Sequence, residues 1–261
     1  MNASDIEVAH GAFRVQAWRD GSGPGLLFLH GFEGHPGDAA FLQRFARTRS
    51  VVAPEHPGFG DSVGFDHIDD ILDMTLYYRQ LIEGVADGPL DVVGHSLGGM
   101  FAAEIAAVCP QLVRRLVLVS PFGLWLDETP IPDLFVMSPG QLQRAMWSDP
   151  ESHASQQALS SSTNGKSGPA AIVARASNLS AAGKFLWPIP DRGLGKRLPL
   201  IKAQTLIIAG ADDGLVPPRY AEEFGSLIPG ARRVVVEGAG HFPMLEQPDE
   251  FHRLVDAFLA S

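Results

Sequence analysis

Leu90-Asp91-Val92-Val93-Gly94-His95-Ser96-Leu97-Gly98-Gly99-Met100-Phe101-Ala102-Ala103-Glu104-Ile105-Ala106-Ala107 is the stretch whose reading decides the fold. Its first four residues read as a short strand, and Met100 onward, small and apolar, reads as a helix. Between them stands a G-x-S-x-G turn, Gly94 to Gly98, in the strand-turn-helix context of a nucleophile elbow. Side chains larger than hydrogen at Gly94 and Gly98 would clash with the facing backbone. Such a turn lifts the Ser96 hydroxyl above the C-terminal edge of a sheet, and the free N–H groups at the helix start point to the same spot.

Working outward, Leu26-Leu27-Phe28-Leu29, Val51-Val52-Ala53, Leu116-Val117-Leu118-Val119, Thr205-Leu206-Ile207-Ile208 and Arg233-Val234-Val235-Val236 also read as strands. Most are apolar throughout, as parallel strands buried on both faces require. Phe13-Arg14-Val15-Gln16-Ala17-Trp18 alternates instead, which suits an antiparallel edge strand with one wet face. Apolar residues at three- and four-residue spacing predict helices over 39–47, 68–85, 97–108, 218–227 and 249–259. Strands alternating with helices make an α/β fold with a mostly parallel sheet. The alternation stops over 121–199, where no buried strand is legible and a soft polar segment, 152–168, centres on Ser160-Ser161-Ser162-Thr163-Asn164-Gly165. A structureless loop of that length is improbable in a compact domain, so a helical cap is expected there. The expected division is a core of 1–120 and 200–261 carrying a cap of 121–199.

Composition narrows the class. With 45% hydrophobic and 19% charged residues the chain has ample apolar material for a soluble core. A net charge of −10 argues against nucleic acid or an anionic membrane as partner. Cys109 is the single cysteine, so no intrachain disulfide can form. Met1 to Glu7 has neither a basic nor an apolar signal region, and no apolar run is long enough to span a bilayer, which predicts a cytoplasmic protein. A monomer or homodimer acting on a small molecule is expected, with no metal and no cofactor.

A serine nucleophile needs a base, an acid behind the base, and donors for an oxyanion. His30-Gly31-Phe32-Glu33-Gly34 ends the strand Leu26–Leu29, so the N–H of Phe32 and that of Leu97, next to the serine, are the expected donors. Of nine histidines, His241 in Gly238-Ala239-Gly240-His241-Phe242-Pro243 is the best base, because its loop follows a strand and reaches over the sheet edge. His30 is expected to order the oxyanion loop, and His10, His35, His56, His67, His153 and His252 to be surface or loop residues. For the acid, Asp212 and Asp213 compete in the loop after Thr205–Ile208, one facing the histidine while the other caps or bonds the backbone.

From Phe13 to Leu259 these landmarks make the chain resemble the α/β-hydrolase superfamily. Ala53-Pro54-Glu55-His56-Pro57-Gly58-Phe59-Gly60-Asp61-Ser62 resembles its loop after the fourth strand, with Glu55 where most members have aspartate. The resemblance implies a triad of Ser96, Asp213 and His241, because the family's G-x-x-D-x-x-x-P pattern places the acid third after Gly210. Relatives that dehalogenate or open epoxides carry aspartate at the elbow, so Ser96 implies acyl-enzyme chemistry on a carboxylic ester. Carbon–carbon, amide, lactone or thioester hydrolysis is the alternative, and a hydrolase-derived binding protein a further one. Phe32, His95, Phe122, Trp125 and Phe242 are expected to line the substrate pocket. The remaining cap aromatics Phe135, Trp147, Phe185 and Trp187, with Met137 and Met146, are expected singly to pack the cap onto itself and onto the sheet. Some of the cap's apolar residues are expected to line the pocket, which is apolar unless Arg144, Arg175 or Arg192 points inward.

Overall fold

The computed structural model describes residues 1–161 and 168–260, so the middle of the polar segment, 162–167, lies outside the described residues. The described residues form an eight-stranded sheet in the order β1-β2-β4-β3-β5-β6-β7-β8. The strands are β1 (Asn2–Val8), β2 (Phe13–Asp20), β3 (Gly25–Leu29), β4 (Ser50–Pro54), β5 (Leu90–His95), β6 (Val113–Val119), β7 (Gln204–Gly210) and β8 (Arg232–Val236). β2 pairs antiparallel with β1 and β4, and all pairs from β4 to β8 are parallel.

The strand predicted at the edge, Phe13–Trp18, is interior: β1 covers it with Ile6 opposite Val15. Only Ile6 and Val8 of β1 are buried, too few positions to give an alternating signal in the sequence.

Successive side chains of a strand point to opposite faces. Accordingly Leu27 and Leu29 join one apolar cluster and Leu26 and Phe28 the other. The first cluster is completed by α2 (Ile71–Val85), α3 (Leu97–Val108) and α7 (Arg219–Leu227), the second by α1 (Ala40–Ala46) and α9 (Pro248–Ala260). A short α8 (Pro243–Glu246) precedes α9. α2 starts three residues later than periodicity predicts, because the Asp70 carboxylate accepts the N–H groups of Leu72 and Asp73 and so caps the helix there.

Between β6 and β7 the described residues hold no strand. They form α4 (Pro139–Met146), α5 (His153–Ser161) and α6 (Pro169–Leu186). α4 opens with a reciprocal capping box of Ser138 and Gln141. These helices lack a core of their own. Leu142, Met146, Trp147, Ala182 and Phe185 enter the same cluster as Leu97 and Phe101, and Phe185 meets Phe101 edge-on at 4.9 Å. Trp187, by contrast, is 59% exposed. No helix among the described residues is long and apolar enough to cross a membrane.

Candidate active site

Ser96 joins β5 to α3 at φ 57° and ψ −118°, a conformation that L side chains rarely adopt. The surrounding backbone holds it there. The Ser96 N–H donates to the Val119 carbonyl at 2.9 Å, and the Ser96 carbonyl accepts from Gly99 at 3.0 Å and Phe122 at 3.1 Å. A Cβ on Gly98 would overlap the carbonyl oxygens of Leu29 and His30, so glycine alone lets α3 start against the end of β3.

The loops after β7 and β8 deliver the other two predicted groups. His241 Nε2 lies 2.8 Å from Ser96 Oγ, and His241 Nδ1 lies 2.8 Å from Asp213 Oδ2. With Nδ1–H donating to the carboxylate, Nε2 is left to accept the serine proton. The second oxygen of Asp213 accepts the N–H groups of Leu215 at 3.0 Å and Val216 at 2.8 Å. Asp212 turns outward, where it accepts a bond from Ser148 Oγ at 2.7 Å. Ser96, Asp213 and His241 are all buried.

The end of α4 ties both loops together. The Ala145 carbonyl accepts from Gly214 N–H at 2.9 Å, and the Met146 carbonyl accepts from His241 N–H at 2.6 Å. These contacts join residues far apart in the chain, Ala145 with Gly214 and Met146 with His241, and no spacing in the sequence announces them.

The loop 30–34 lies on the other side of Ser96. A Cβ on Gly31 would press on His95 Nδ1 at 2.9 Å and Ser96 Cβ at 3.0 Å, so only glycine lets this loop lie so close to the serine. Leu97 is the first residue of α3, and its N–H has no intrahelical acceptor. The backbone hydrogen bonds of the described residues include none from Phe32 N–H. His30 fixes this loop: Nδ1–H donates to Gly31 O at 2.7 Å, while Nε2 accepts His56 N–H at 2.9 Å. His56 stacks on His30 with centroids 3.6 Å apart, donates from Nε2 to His30 O, and bonds Tyr78 through Nδ1. Burial drives His30 well below the usual histidine range and His56 down to about 3, so both rings are neutral. His35 and His56 lie in loops, as expected, but are buried, and His252 is buried on α9 rather than at the surface. His10, His67 and His153 are exposed, as the sequence suggests. Glu55 is also internal to its loop, accepting from Asp61 N–H and Ser62 Oγ.

The predicted pocket residues divide. Phe32 and Phe122 face the histidine, with ring centroids 6.4 and 6.0 Å from that of His241. His95 instead supports the base from behind, its Nε2–H donating to the His241 carbonyl at 2.8 Å. Phe242 stacks on Trp147 at 4.7 Å and lies 5.0 Å from the His95 ring. Trp125 packs its ring on the larger apolar cluster, which also holds Phe32 and Phe122, and its indole N–H donates to Asp127 at 2.9 Å. The hydrogen bond between near neighbours holds the indole where it is. Of the three arginines, Arg144 is exposed and Arg192 bonds the Trp187 carbonyl, while half-buried Arg175 acts on Glu33.

A cavity of about 790 Å³ opens beside these residues, lined by Trp18, His35, Glu33, Trp147, Phe242 and others. Gly31 and His95 form part of its wall, but Ser96 and His241 do not. It is thus a neighbour of the reactive groups and not their immediate chamber. Among the described residues no three His, Cys, Asp or Glu side chains gather in an arrangement that could hold a metal ion.

Comparison with known proteins agrees with the fold. Residues 26–254 match the alpha/beta hydrolase family. The chain is 29% identical over 270 residues to the polyketide synthase ThaQ of Burkholderia thailandensis, covering 99% of this chain but only 13% of that much longer protein. It is 30% identical over 251 residues to the pimeloyl-[acyl-carrier protein] methyl ester esterase of Xanthomonas oryzae pv. oryzae, covering 92% of this chain and 97% of the relative. Among solved structures, a bacterial membrane phospholipase A superposes with a TM-score of 0.82 at 24% identity, over 99% of this chain and 86% of that one. At that identity the likeness speaks to the fold alone.

Proposed function

The chain belongs to the alpha/beta hydrolase family, and from that premise we propose that it is a serine hydrolase that cleaves a small to medium, uncharged carboxylic ester. The observation that carries this reading is the unbroken chain of hydrogen bonds from Ser96 Oγ through His241 to Asp213. His241 Nε2 takes the proton of Ser96 Oγ as the oxygen attacks the ester carbonyl carbon. The N–H groups of Phe32 and Leu97 receive the oxyanion. The C–O bond then breaks, the alcohol leaves with the proton from His241, and water hydrolyses the acyl-enzyme by the same steps in reverse order.

The preference for an uncharged ester rests on Phe32 and Phe122, whose rings flank His241. An aromatic lining favours apolar acyl or alcohol groups. The stretch 121–199, whose α4 and α6 lie against the site loops, acts in this reading as the roof of the groove. The Xanthomonas relative, an esterase by its name, supports ester hydrolysis over amide or carbon–carbon cleavage.

A panel of short p-nitrophenyl esters, set beside a vinylogous diketo acid, tests the reading. Esters should turn over, and Ser96→Ala should lose on the order of 10⁶ in kcat, as removal of a serine nucleophile does elsewhere. A Ser96→Ala enzyme retaining a tenth of wild-type turnover, roughly, would exclude the acyl-enzyme route.

A further inference from the structure

Three backbone groups around the base are held from outside the triad. The His241 N–H donates to the Met146 carbonyl at 2.6 Å, the His241 carbonyl accepts His95 Nε2–H at 2.8 Å, and the Gly240 N–H donates to Glu246 Oε1 at 2.8 Å. Glu246 ends α8, just after the histidine. The turn begun at Phe242, whose carbonyl accepts the N–H groups of Leu245 at 2.9 Å and Glu246 at 3.0 Å, folds this side chain back onto the loop.

The second oxygen of Glu246, Oε2, accepts the Ser148 N–H at 2.8 Å. Ser148 stands just beyond α4, and its hydroxyl donates to Asp212 Oδ2 at 2.7 Å, beside the acid. Asp212 in turn donates its N–H to the Ala239 carbonyl at 2.9 Å. One carboxylate thus joins the base loop to the end of α4 and, through Ser148, to the acid loop. An ionised carboxylate accepts at both oxygens, and its charge makes such bonds stronger than neutral ones. A glutamine there has a single acceptor oxygen and must turn its NH₂ toward the other N–H. Gly240 is buried, and a Cβ on it would overlap Met146 O, so this peptide lies tight between the end of α4 and the histidine.

We propose that Glu246 is a positioning residue for the base: its carboxylate clamps Gly240 to Ser148 and so holds His241 Nε2 where it can take the Ser96 proton. The proposal rests on the serine-hydrolase reading and adds to it a group outside the triad.

Kinetics and proton NMR of Glu246→Gln test the clamp at about pH 8, where a carboxyl is ordinarily ionised. With a p-nitrophenyl ester, kcat should fall about ten- to a hundredfold, the scale of a misplacement of up to an ångström, with KM changed less than about twofold. The proton that His241 Nδ1 shares with Asp213 gives a strongly deshielded resonance, which should shift or broaden in the variant. Asp70→Ala, a loss of stability remote from the site, should leave kcat and the resonance as in wild type. Folded Glu246→Gln with wild-type kcat or an unmoved resonance overturns the clamp and leaves the serine-hydrolase reading standing. Where that variant does not fold, amide exchange in the wild-type protein decides. The Gly240 N–H should exchange far more slowly than an open-loop amide, and exchange at the open-loop rate overturns the clamp. Wild-type protein that turns over no ester overturns the serine-hydrolase reading, and the catalytic role of the clamp with it.

Discussion

Asp212 and Asp213 are adjacent and chemically identical, yet the fold gives them opposite environments. Asp213 is buried, with one oxygen on His241 and the other on two backbone N–H groups. Its neighbour is exposed and bonded to a serine hydroxyl. In Asp213→Asn the amide NH₂ must face either His241 Nδ1–H or the N–H pair, so one contact is lost and the tautomer of the base is disturbed. The expected loss in kcat is about 10⁴, by analogy with amidation of another triad aspartate. Asp212→Asn keeps a hydrogen-bonding oxygen toward Ser148 and should change kcat less than about threefold, as surface substitutions usually do. Steady-state kinetics of the two variants on one ester checks the order, and a reversal would shift the acid by one residue. The family pattern made this register legible, whereas the strand, the loop and the two aspartates alone left it open.

At the scale of elements, α4 matters more than its eight residues suggest. Its last carbonyls receive the backbones of both the acid loop and the base loop, and Gly240 packs so close to Met146 O that a Cβ there would overlap it. Gly240→Ala should force α4 and the histidine loop apart, costing about 1–3 kcal/mol as overpacking does. Because His241 is the next residue, kcat should fall along with the urea midpoint. A variant that loses stability but keeps wild-type kcat would show that α4 does not position the base. Asp70→Ala offers a contrast at a distance from the site. It removes the cap of α2 and should lower stability by about 1 kcal/mol with kcat unchanged.

Across the whole molecule, the buried histidines set the pH range over which the fold survives. His30, His35, His56, His95 and His252 are all pushed below the ordinary histidine pKa, chiefly by burial, His56 to about 3 and His252 to about 4. In the unfolded chain such groups take up protons near pH 6.5, about the free value. Between that pH and the folded pKa values the unfolded state binds more protons, so stability rises with pH. The contribution is complete above about pH 6.5 and is lost as pH falls toward about 4, each fully buried ring adding up to about 1.4 kcal/mol per pH unit. The raised carboxyls of Glu33, Glu246 and Asp256 act in the opposite sense but are fewer. Calorimetry from pH 8 to 4.5, roughly, should show a flat Tm above neutrality and a steep decline below about pH 6. A Tm independent of pH across that range would mean that the His30–His56 stack is not held neutral.

The sequence by itself determined the α/β class, the parallel strands and the serine turn. Each is a local matter: an apolar run marks a strand buried on both faces, and Gly94 and Gly98 mark a turn no other residue permits. It also named the residues that now stand within hydrogen-bonding distance, because each sits at the end of a strand and strand ends share one edge of a parallel sheet. Only the tertiary structure decided that β1 covers β2, that the helices of 121–199 merge into the main core, and that His56 lies inside. It alone placed the α4 carbonyls behind the reactive loops and bonded the Trp125 indole to Asp127. These depend on contacts between residues far apart in the chain, where burial and hydrogen bonding are fixed by which surfaces meet. Nothing in the local pattern of either partner carries that information.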